Sequence, residues 1–172
     1  MTEALREQIR QRAHFACEFC GVSETDTGGE LTIDHFQPKA YGGSDSLENL
    51  LYCCARCNQY KMDYWPTSPE HLPLWNPRFE PFANHFLELD DGVLHPLTTI
   101  GAFTIKRLRL NRPPLVAYRL RRKKTTETLQ LLQRYRDLAQ LLAEAHQQTA
   151  FLLEEQQKLL AAQRELLRLL LK

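Results

Sequence analysis

The sequence lacks any long apolar run, and no stretch of its 172 residues approaches the roughly 20 apolar residues that span a bilayer. Residues 1–7 hold two acids and no apolar segment, so no signal peptide is recognisable there. An excess of one charge is also missing, because 22 basic residues are balanced by 21 acidic ones and the net charge is +1. We therefore expect a cytoplasmic protein that does not associate with membranes.

Glycine and proline are scarce in parts of the chain and divide it into three zones. Five of the seven glycines lie in residues 1–65, eight of the nine prolines lie in residues 66–114, and neither type occurs in residues 115–172. Proline lacks a backbone donor and clashes with the preceding turn, so no long helix is expected in the middle zone. The zones predict a folded core, an irregular packing extension and a C-terminal helix.

Local patterns predict short elements of both kinds, and hence an α+β fold. Apolar spacing over residues 5–13 predicts a short amphipathic helix, and alternation over residues 30–36 predicts a half-buried strand. The leucine spacing over residues 47–51 favours a helical turn. In the middle zone, residues 87–89 and 93–94 flank an Asp-Gly turn and predict a hairpin.

The C-terminal zone carries a heptad-like stripe over about five repeats. Its apolar members follow alternating steps of three and four, and they are Leu131, Tyr135, Leu138, Leu142, Ala145, Leu152, Leu159, Leu166 and Leu170. Thr149, Gln156 and Gln163 fill the remaining positions and weaken a coiled coil. One long helix is predicted, whose broad face needs either the body of the protein or a second copy. We favour a homodimer.

Two Cys-x-x-Cys pairs stand out among the five cysteines. A thiolate pair at this spacing lets one tight turn present both sulfurs to a tetrahedral ion, so Cys17, Cys20, Cys54 and Cys57 predict a closed, structural Zn²⁺ site. Cys53 does not have the spacing to Cys57 and is more simply a small buried apolar residue.

Between the two cysteine pairs lies Asp34-His35, and Asn58 follows the last cysteine. Neighbouring residues of a strand point to opposite sides, so the imidazole can face a substrate while the carboxylate takes another role. Phosphodiester hydrolysis needs a general base and a divalent cation, and a histidine with a pKa near ~6.5 suits the first task. By itself the dipeptide is also compatible with a packed or solvated histidine.

The order of these motifs resembles the HNH endonuclease family in its zinc-bearing form. The matching residues are Cys17-x-x-Cys20, Ile33-Asp34-His35, Leu47-Glu48-Asn49-Leu50, Cys54-x-x-Cys57-Asn58 and Lys61. The resemblance covers residues 8–65 and implies a ββα-metal core, with two strands, a loop and a helix around one catalytic ion.

The resemblance also implies roles for single residues. His35 would be the general base that activates water, while Asp34 and Asn58 would hold a catalytic Mg²⁺ or Mn²⁺. Asn49 would hold the loop between strand and helix so that His35 keeps its orientation. Asn58 stands where histidine is common and is a neutral, weaker ligand. Lys61 would approach a phosphate, with a solvent-exposed lysine as the alternative.

The middle zone resembles the segment that follows the nuclease core in standalone bacterial members of the family. The similar motifs are Trp75-Asn76-Pro77-Arg78-Phe79, His85-Phe86, Asp91-Gly92 and Leu108-Arg109-Leu110-Asn111-Arg112. The resemblance supports a packing role for this zone. His71, His85 and His95 are interpreted as surface or structural residues.

Nine basic residues and no acid lie between positions 106 and 124, and these are Lys106, Arg107, Arg109, Arg112, Arg119, Arg121, Arg122, Lys123 and Lys124. Such a segment would neutralise phosphates and bind nucleic acid with little sequence preference. A solvated helix start is the alternative.

Together these patterns predict a metal-dependent endonuclease that hydrolyses phosphodiester bonds in nucleic acid, with DNA as the favoured substrate. One alternative is a zinc-stabilised nucleic-acid-binding module without catalysis. A further alternative is a protein-interaction adaptor organised by the C-terminal helix.

Overall fold

Short antiparallel strands alternate with helices along the chain, as expected for an α+β fold. The computed structural model describes residues 2–171 and divides into two units, Met1–Arg122 and Lys123–Lys172. In chain order the elements are α1 (Glu3–Arg12), α2 (Glu24–Thr27), β1 (Thr32–His35), β2 (Leu50–Cys53), α3 (Ala55–Lys61), β3 (Phe86–Glu88), β4 (Leu94–Pro96), α4 (Thr99–Leu108) and α5 (Pro113–Leu170). The divisions placed at 65/66 and 114/115 from the sequence stay predictions.

Strands β1 and β2 form a two-stranded antiparallel sheet in which Asp34 lies opposite Leu51. The strand predicted over residues 30–36 is therefore confirmed. Of the helical turn predicted over residues 47–51, only the first part forms, where the backbone N–H of Leu50 donates to the carbonyl of Ser46 at 3.1 Å. Residues 50 and 51 instead belong to β2 (Leu50–Cys53), all four of whose side chains are buried. A short apolar run satisfies helix and strand patterns equally, and only the pairing with β1 distinguishes them.

Helix α1 confirms the helix predicted near the N-terminus. The Thr2 side chain caps it by accepting a hydrogen bond from the backbone N–H of Leu5 at 3.3 Å. Ile9 is fully buried in the core. The Arg12 guanidinium donates to the carbonyl oxygens of Leu47 and Leu50, both at 2.6 Å, and so ties α1 to the start of β2.

Strand β2 runs directly into α3. Cys54 is the N-cap of this helix, and its sulfur accepts a hydrogen bond from the backbone N–H of Cys57 at 3.4 Å. Helix α3 contacts β1, so the chain forms a ββα unit from β1, β2 and α3. This unit carries all the residues to which the resemblance assigns chemistry.

The middle zone contains the predicted hairpin and an unpredicted helix. Strands β3 and β4 pair around a turn in which Gly92 has a φ of +78°, a conformation that favours glycine. The expectation that no helix extends far in this zone is wrong, because α4 has ten residues. It fits between Pro96 and Pro113, where the sequence has no proline to interrupt it.

An aromatic cluster packs the middle zone against the N-terminal core. The Trp75 ring meets Phe19, Phe82 and Phe86 edge-on, with centroid distances of 6.4, 5.7 and 5.1 Å. The indole N–H donates to the carbonyl of Glu80 at 2.9 Å. These contacts agree with the packing role expected for this zone.

The first turns of α5 are part of the core. Leu115 and Arg119 are both 3% exposed. The Arg119 guanidinium donates to the carbonyl oxygens of Gly92 at 2.6 Å and Leu110 at 2.9 Å, and to Asn111 Oδ1 at 3.1 Å. Its predicted contact with nucleic acid is therefore wrong, because the side chain is enclosed and its donors are satisfied inside the protein.

The second unit consists of the remainder of α5. Every described side chain from Lys124 to Leu171 is exposed, including the leucines of the heptad stripe. Helix α5 begins at Pro113, two residues before the predicted start, because proline fits the first helical turn. Among residues 2–171, no helix has the length and apolar character needed to cross a membrane.

We expect Arg119→Met to lower the free energy of unfolding by about 3 kcal/mol, because it leaves buried carbonyl groups without a donor. Urea unfolding in zinc-containing buffer, followed by circular dichroism, measures this loss. Arg121→Gln, an exposed arginine on the same helix, is the matched control and should change the free energy by less than about 0.5 kcal/mol. Equal effects of the two substitutions would contradict the structural role of Arg119.

Candidate active site

The four cysteines of the two Cys-x-x-Cys pairs converge on one point. The Sγ atoms of Cys17, Cys20, Cys54 and Cys57 all lie within 4.8 Å of one another, and those of Cys20 and Cys54 are 3.8 Å apart. A tetrahedral Zn²⁺ with bonds of about 2.3 Å places its sulfurs about 3.8 Å apart. All five cysteines lie in the described range and none forms a disulfide, so the thiols are available for a structural zinc ion.

Two turns from different parts of the chain present these sulfurs. In the first, the backbone N–H of Gly21 donates to the carbonyl of Cys17 at 2.8 Å, and Gly21 has a φ of +75°. In the second, the N-terminal turn of α3 carries Cys54 and Cys57. Cys53 lies in β2 outside the cluster, and burial raises the pKa of its thiol.

A basic side chain lies beside the sulfurs. The Arg112 guanidinium is 4.0 Å from Cys54 Sγ and 3.9 Å from Cys57 Sγ, close enough for weak N–H···S contacts. Four thiolates around Zn²⁺ would leave two negative charges, one of which a guanidinium would offset. The sequence analysis assigned Arg112 to nucleic acid and missed this neighbour, because a contact across 55 residues leaves no local pattern.

His35 ends β1 and its imidazole contacts an acid in the following loop. His35 Nε2 lies 2.7 Å from Asp45 Oδ1, while Lys39 Nζ lies 2.9 Å from Asp45 Oδ2. Hydrogen bonds from Lys39 and His35 lower the pKa of Asp45 to about 2. Asp45 is a candidate site residue that the sequence analysis missed, since an acid in a glycine- and serine-rich loop carries no distinguishing signal.

Asn49 holds the loop that precedes it. Its Oδ1 accepts from the backbone N–H of Gln37 at 2.8 Å, and its Nδ2 donates to the carbonyls of Gln37 at 3.0 Å and Ser44 at 2.8 Å. A Cβ at Gly43 would lie 1.8 Å from the Gln37 carbonyl oxygen, so this close approach requires glycine. The loop joins β1 to β2, and not a strand to a helix as the resemblance suggested.

Asp34 points toward α3, where it meets Lys61. Lys61 Nζ lies 3.0 Å from Asp34 Oδ2 and donates to the carbonyl of His35 at 2.6 Å. The lysine is 0% exposed, so its position does not fit the predicted contact with a phosphate. Burial raises the pKa of Asp34, and the charge of Lys61 opposes that shift.

Asn58 lies one turn before Lys61 and on the same face of α3. It is half-buried and lines a surface groove together with Thr32, which precedes Asp34 by two residues on the same side of β1. Asp34 Oδ2 is buried and lacks a hydrogen-bond partner of good geometry, although it pairs electrostatically with Lys61. A carboxylate on β1 and an amide oxygen on α3 are ligands of the type that Mg²⁺ or Mn²⁺ prefers.

The nine residues of the basic segment differ in their contacts and in their exposure. Arg107 donates to the carbonyl of Lys61 at 3.3 Å, and Arg122 pairs with Glu88 at 2.7 Å. The members that remain exposed are Lys106, Arg109, Arg121, Arg122 and Lys124, and Lys123 is partly exposed. The nine residues therefore do not form one uniform surface, because Arg119 is buried and Arg112 lies beside the cysteine sulfurs.

Sequence comparison agrees with this arrangement. A family model described as HNH endonuclease matches residues 17–68. These residues form an HNH endonuclease domain. The HNH domain thus holds both cysteine pairs, Asp34, His35 and Asn58, and the resemblance noted from the motifs is confirmed.

The HNH domain is also similar to part of a much larger protein. The CRISPR-associated endonuclease Cas9 of Corynebacterium diphtheriae is 40% identical over 57 residues, which is 33% of this chain and 5% of that protein. The chain therefore corresponds to a small fraction of this relative's length. No solved structure matches the chain.

We expect Cys54→Ala to abolish stoichiometric zinc binding, because it removes one of four ligands, whereas Cys53→Ala should retain one zinc per chain. Metal analysis of the purified proteins by inductively coupled plasma mass spectrometry gives the zinc content. The two cysteines are adjacent and both buried, so they form a matched pair. Zinc loss in the Cys53 variant alone would show that the ligand set is wrong.

Proposed function

We propose that this protein is an endonuclease that hydrolyses phosphodiester bonds in DNA with the help of a divalent metal ion. The observation that carries the proposal is the placement of Asp34 and His35 at the end of β1, inside the HNH domain, where Lys61 contacts both of them from α3, the helix that also carries Asn58. The cytoplasmic location expected from the sequence stays a prediction.

In this proposal His35 is the general base. Asp45 is ionised at neutral pH because its pKa is lowered to about 2, and a carboxylate can only accept hydrogen bonds. In a neutral imidazole, Nε2 is then the donor to Asp45 and Nδ1 carries the lone pair. Nδ1 takes a proton from water as the water oxygen bonds to phosphorus and the bond from phosphorus to the leaving oxygen breaks. Asp45 is a positioning residue.

Asp34 and Asn58 would hold the catalytic Mg²⁺ or Mn²⁺. When bound, such an ion supplies positive charge that stabilises the scissile phosphate and the leaving oxygen. Lys61 positions the carboxylate of Asp34 and, through the carbonyl of His35, the end of β1. Asn49 holds the β1–β2 loop, which carries Asp45 to His35.

The exposed members of the basic segment would contact phosphates. These are Lys106, Arg109, Arg121, Arg122 and Lys124, together with the partly exposed Lys123, and their contacts would be sequence-independent and sensitive to salt. Arg107 and Arg112 are partly buried and engaged with the HNH domain, so we assign them a supporting role.

We also propose that the second unit pairs with a second copy of itself. Each heptad contributes two residues to the stripe. At the first of these two positions the leucines are at least half exposed, for example Leu152 at 65% and Leu159 at 64%. At the second position, three successive heptads carry the polar residues Thr149, Gln156 and Gln163. In a parallel pair in register, each polar side chain meets its own copy and two glutamine amides can hydrogen-bond to each other. A different partner would have to supply matching polar groups at the same three levels.

We expect His35→Ala to reduce the rate of plasmid nicking by about 100-fold or more in Mg²⁺ or Mn²⁺, because general-base catalysis contributes about 10² to 10⁴. Agarose-gel time courses with supercoiled DNA measure the rate. His95→Ala, an exposed histidine in β4, should cut like the parent protein. Undiminished cutting by the His35 variant would exclude it as the base, and binding without cleavage in the parent would favour a non-catalytic zinc module.

The double substitution Leu152→Glu and Leu159→Glu should convert the dimer to a monomer, because it places charges on the heptad stripe where the two copies would meet. Light scattering after size-exclusion chromatography measures the mass. The control substitutions Ala150→Glu and Ala161→Glu add the same two charges outside the heptad stripe, so they should preserve the dimer. A parent protein that is monomeric at micromolar concentration would refute the pairing.

A further inference from the structure

A groove with a volume of about 780 Å³ lies beside the zinc cluster in the first unit. One wall is the segment 26–32, which connects α2 to β1. The other residues that shape it come from α3 and from the region where α5 begins, and they include Arg56, Tyr60, Arg112, Tyr118 and Arg121. Three guanidinium groups and two aromatic rings therefore line a single depression.

This groove adjoins a second depression that reaches one residue of the proposed active site. A second depression of about 590 Å³ shares Thr32, Ala55 and Tyr60 with it and extends to Asn58. A polymer lying in the larger groove would thus pass Tyr60 and reach a proposed ligand of the catalytic ion. The two depressions therefore adjoin at residues of β1 and α3.

Two carboxylates, Glu30 and Asp26, also line the groove. Glu30 pairs with Arg6 at 3.0 Å. Asp26 accepts a hydrogen bond from the backbone N–H of Ser23 at 3.1 Å as part of the capping box of α2. Besides Ser23, Asp26 interacts with Tyr118 and Arg121 inside the groove, and these contacts lower its pKa. Three guanidinium groups against two carboxylates leave the lining with a small excess of positive charge.

The aromatic rings are held in place. Tyr118 donates its hydroxyl hydrogen to the carbonyl of Gly21 at 2.7 Å. The Arg112 guanidinium lies 5.6 Å from the centre of the Tyr60 ring. Grooves that combine basic side chains with aromatic rings are typical of sites for single-stranded nucleic acid, where phosphates meet the charges and bases stack on the rings.

We propose that this groove binds one unpaired strand of nucleic acid next to the active site, so that the substrate contains a single-stranded segment. Its volume lies in the range of about 300–1,000 Å³ found for small-molecule sites, which gives room for a few nucleotides, and bases can stack on the two rings only when they are unpaired. The inference rests on the proposed function for the path toward Asn58, whereas binding in the groove does not itself require cleavage.

The test measures binding by the full chain with His35→Ala, without added divalent ions, by fluorescence anisotropy of a short labelled single-stranded DNA. Adding Arg56→Gln and Arg121→Gln should raise Kd at least about tenfold. The slope of log affinity against log salt should shrink by about 1.4, because each phosphate contact on a single strand contributes about 0.7. Arg134→Gln, outside the groove on α5, should leave both quantities unchanged.

Two substitutions of Tyr118 distinguish the effect of the ring from the effect of the hydroxyl group. Tyr118→Leu removes the ring and should weaken binding at least about fivefold, as expected from losing one stacked base. Tyr118→Phe keeps the ring but loses the bond to Gly21, and it should bind nearly as well as the parent. Equal weakening by both substitutions would show that the hydroxyl, and not the ring, matters.

Duplex DNA of the same sequence should compete at least about tenfold less well than the single strand. Equal competition by the duplex, or binding that is insensitive to the two arginines, would overturn the groove assignment. Groove-dependent binding by a protein that never cuts DNA would support the groove and contradict only the proposed hydrolysis.

Discussion

The convergence of four thiolates is the constraint on which the rest of the HNH domain depends. Cys17 and Cys20 follow α1, whereas Cys54 and Cys57 lie at the start of α3, so an ion bound by all four would join the two ends of the segment that contains the sheet. Strands of four residues are too short to form a stable two-stranded sheet by themselves. Structural zinc contributes about 10–16 kcal/mol of apparent binding energy in small domains, which is folding energy when the site forms only in the folded state.

The candidate catalytic residues are held from two different sides. A buried lysine supports the first side, because Lys61 joins Asp34 and the carbonyl of His35 to α3 inside the core. A surface loop supports the second, because Asn49 holds the segment that brings Asp45 to His35. The side chain of Asp45 is 60% exposed, so the carboxylate that orients the imidazole depends on the loop and not on core packing.

The basic residues have different surroundings and therefore different roles. Arg12 and Arg119 satisfy backbone carbonyls, and Arg112 lies against the thiolates. Arg56 and Arg121 instead line the groove that leads toward Asn58. Whether an arginine supports the fold or meets a phosphate depends on its burial, which the density of charge along the chain does not reveal.

The sequence by itself determined the features that depend on local spacing. Two residues between cysteines define the ligand pairs, the Asp-Gly turn defines the hairpin, and a repeat of seven defines the C-terminal helix. The tertiary structure alone decided that residues 50–53 form a strand, that Lys61 is buried against Asp34, and that Asp45 contacts His35. These outcomes depend on contacts between residues that are remote in the chain. For the buried charge of Lys61, the free energy of burial depends on the elements that pack around it.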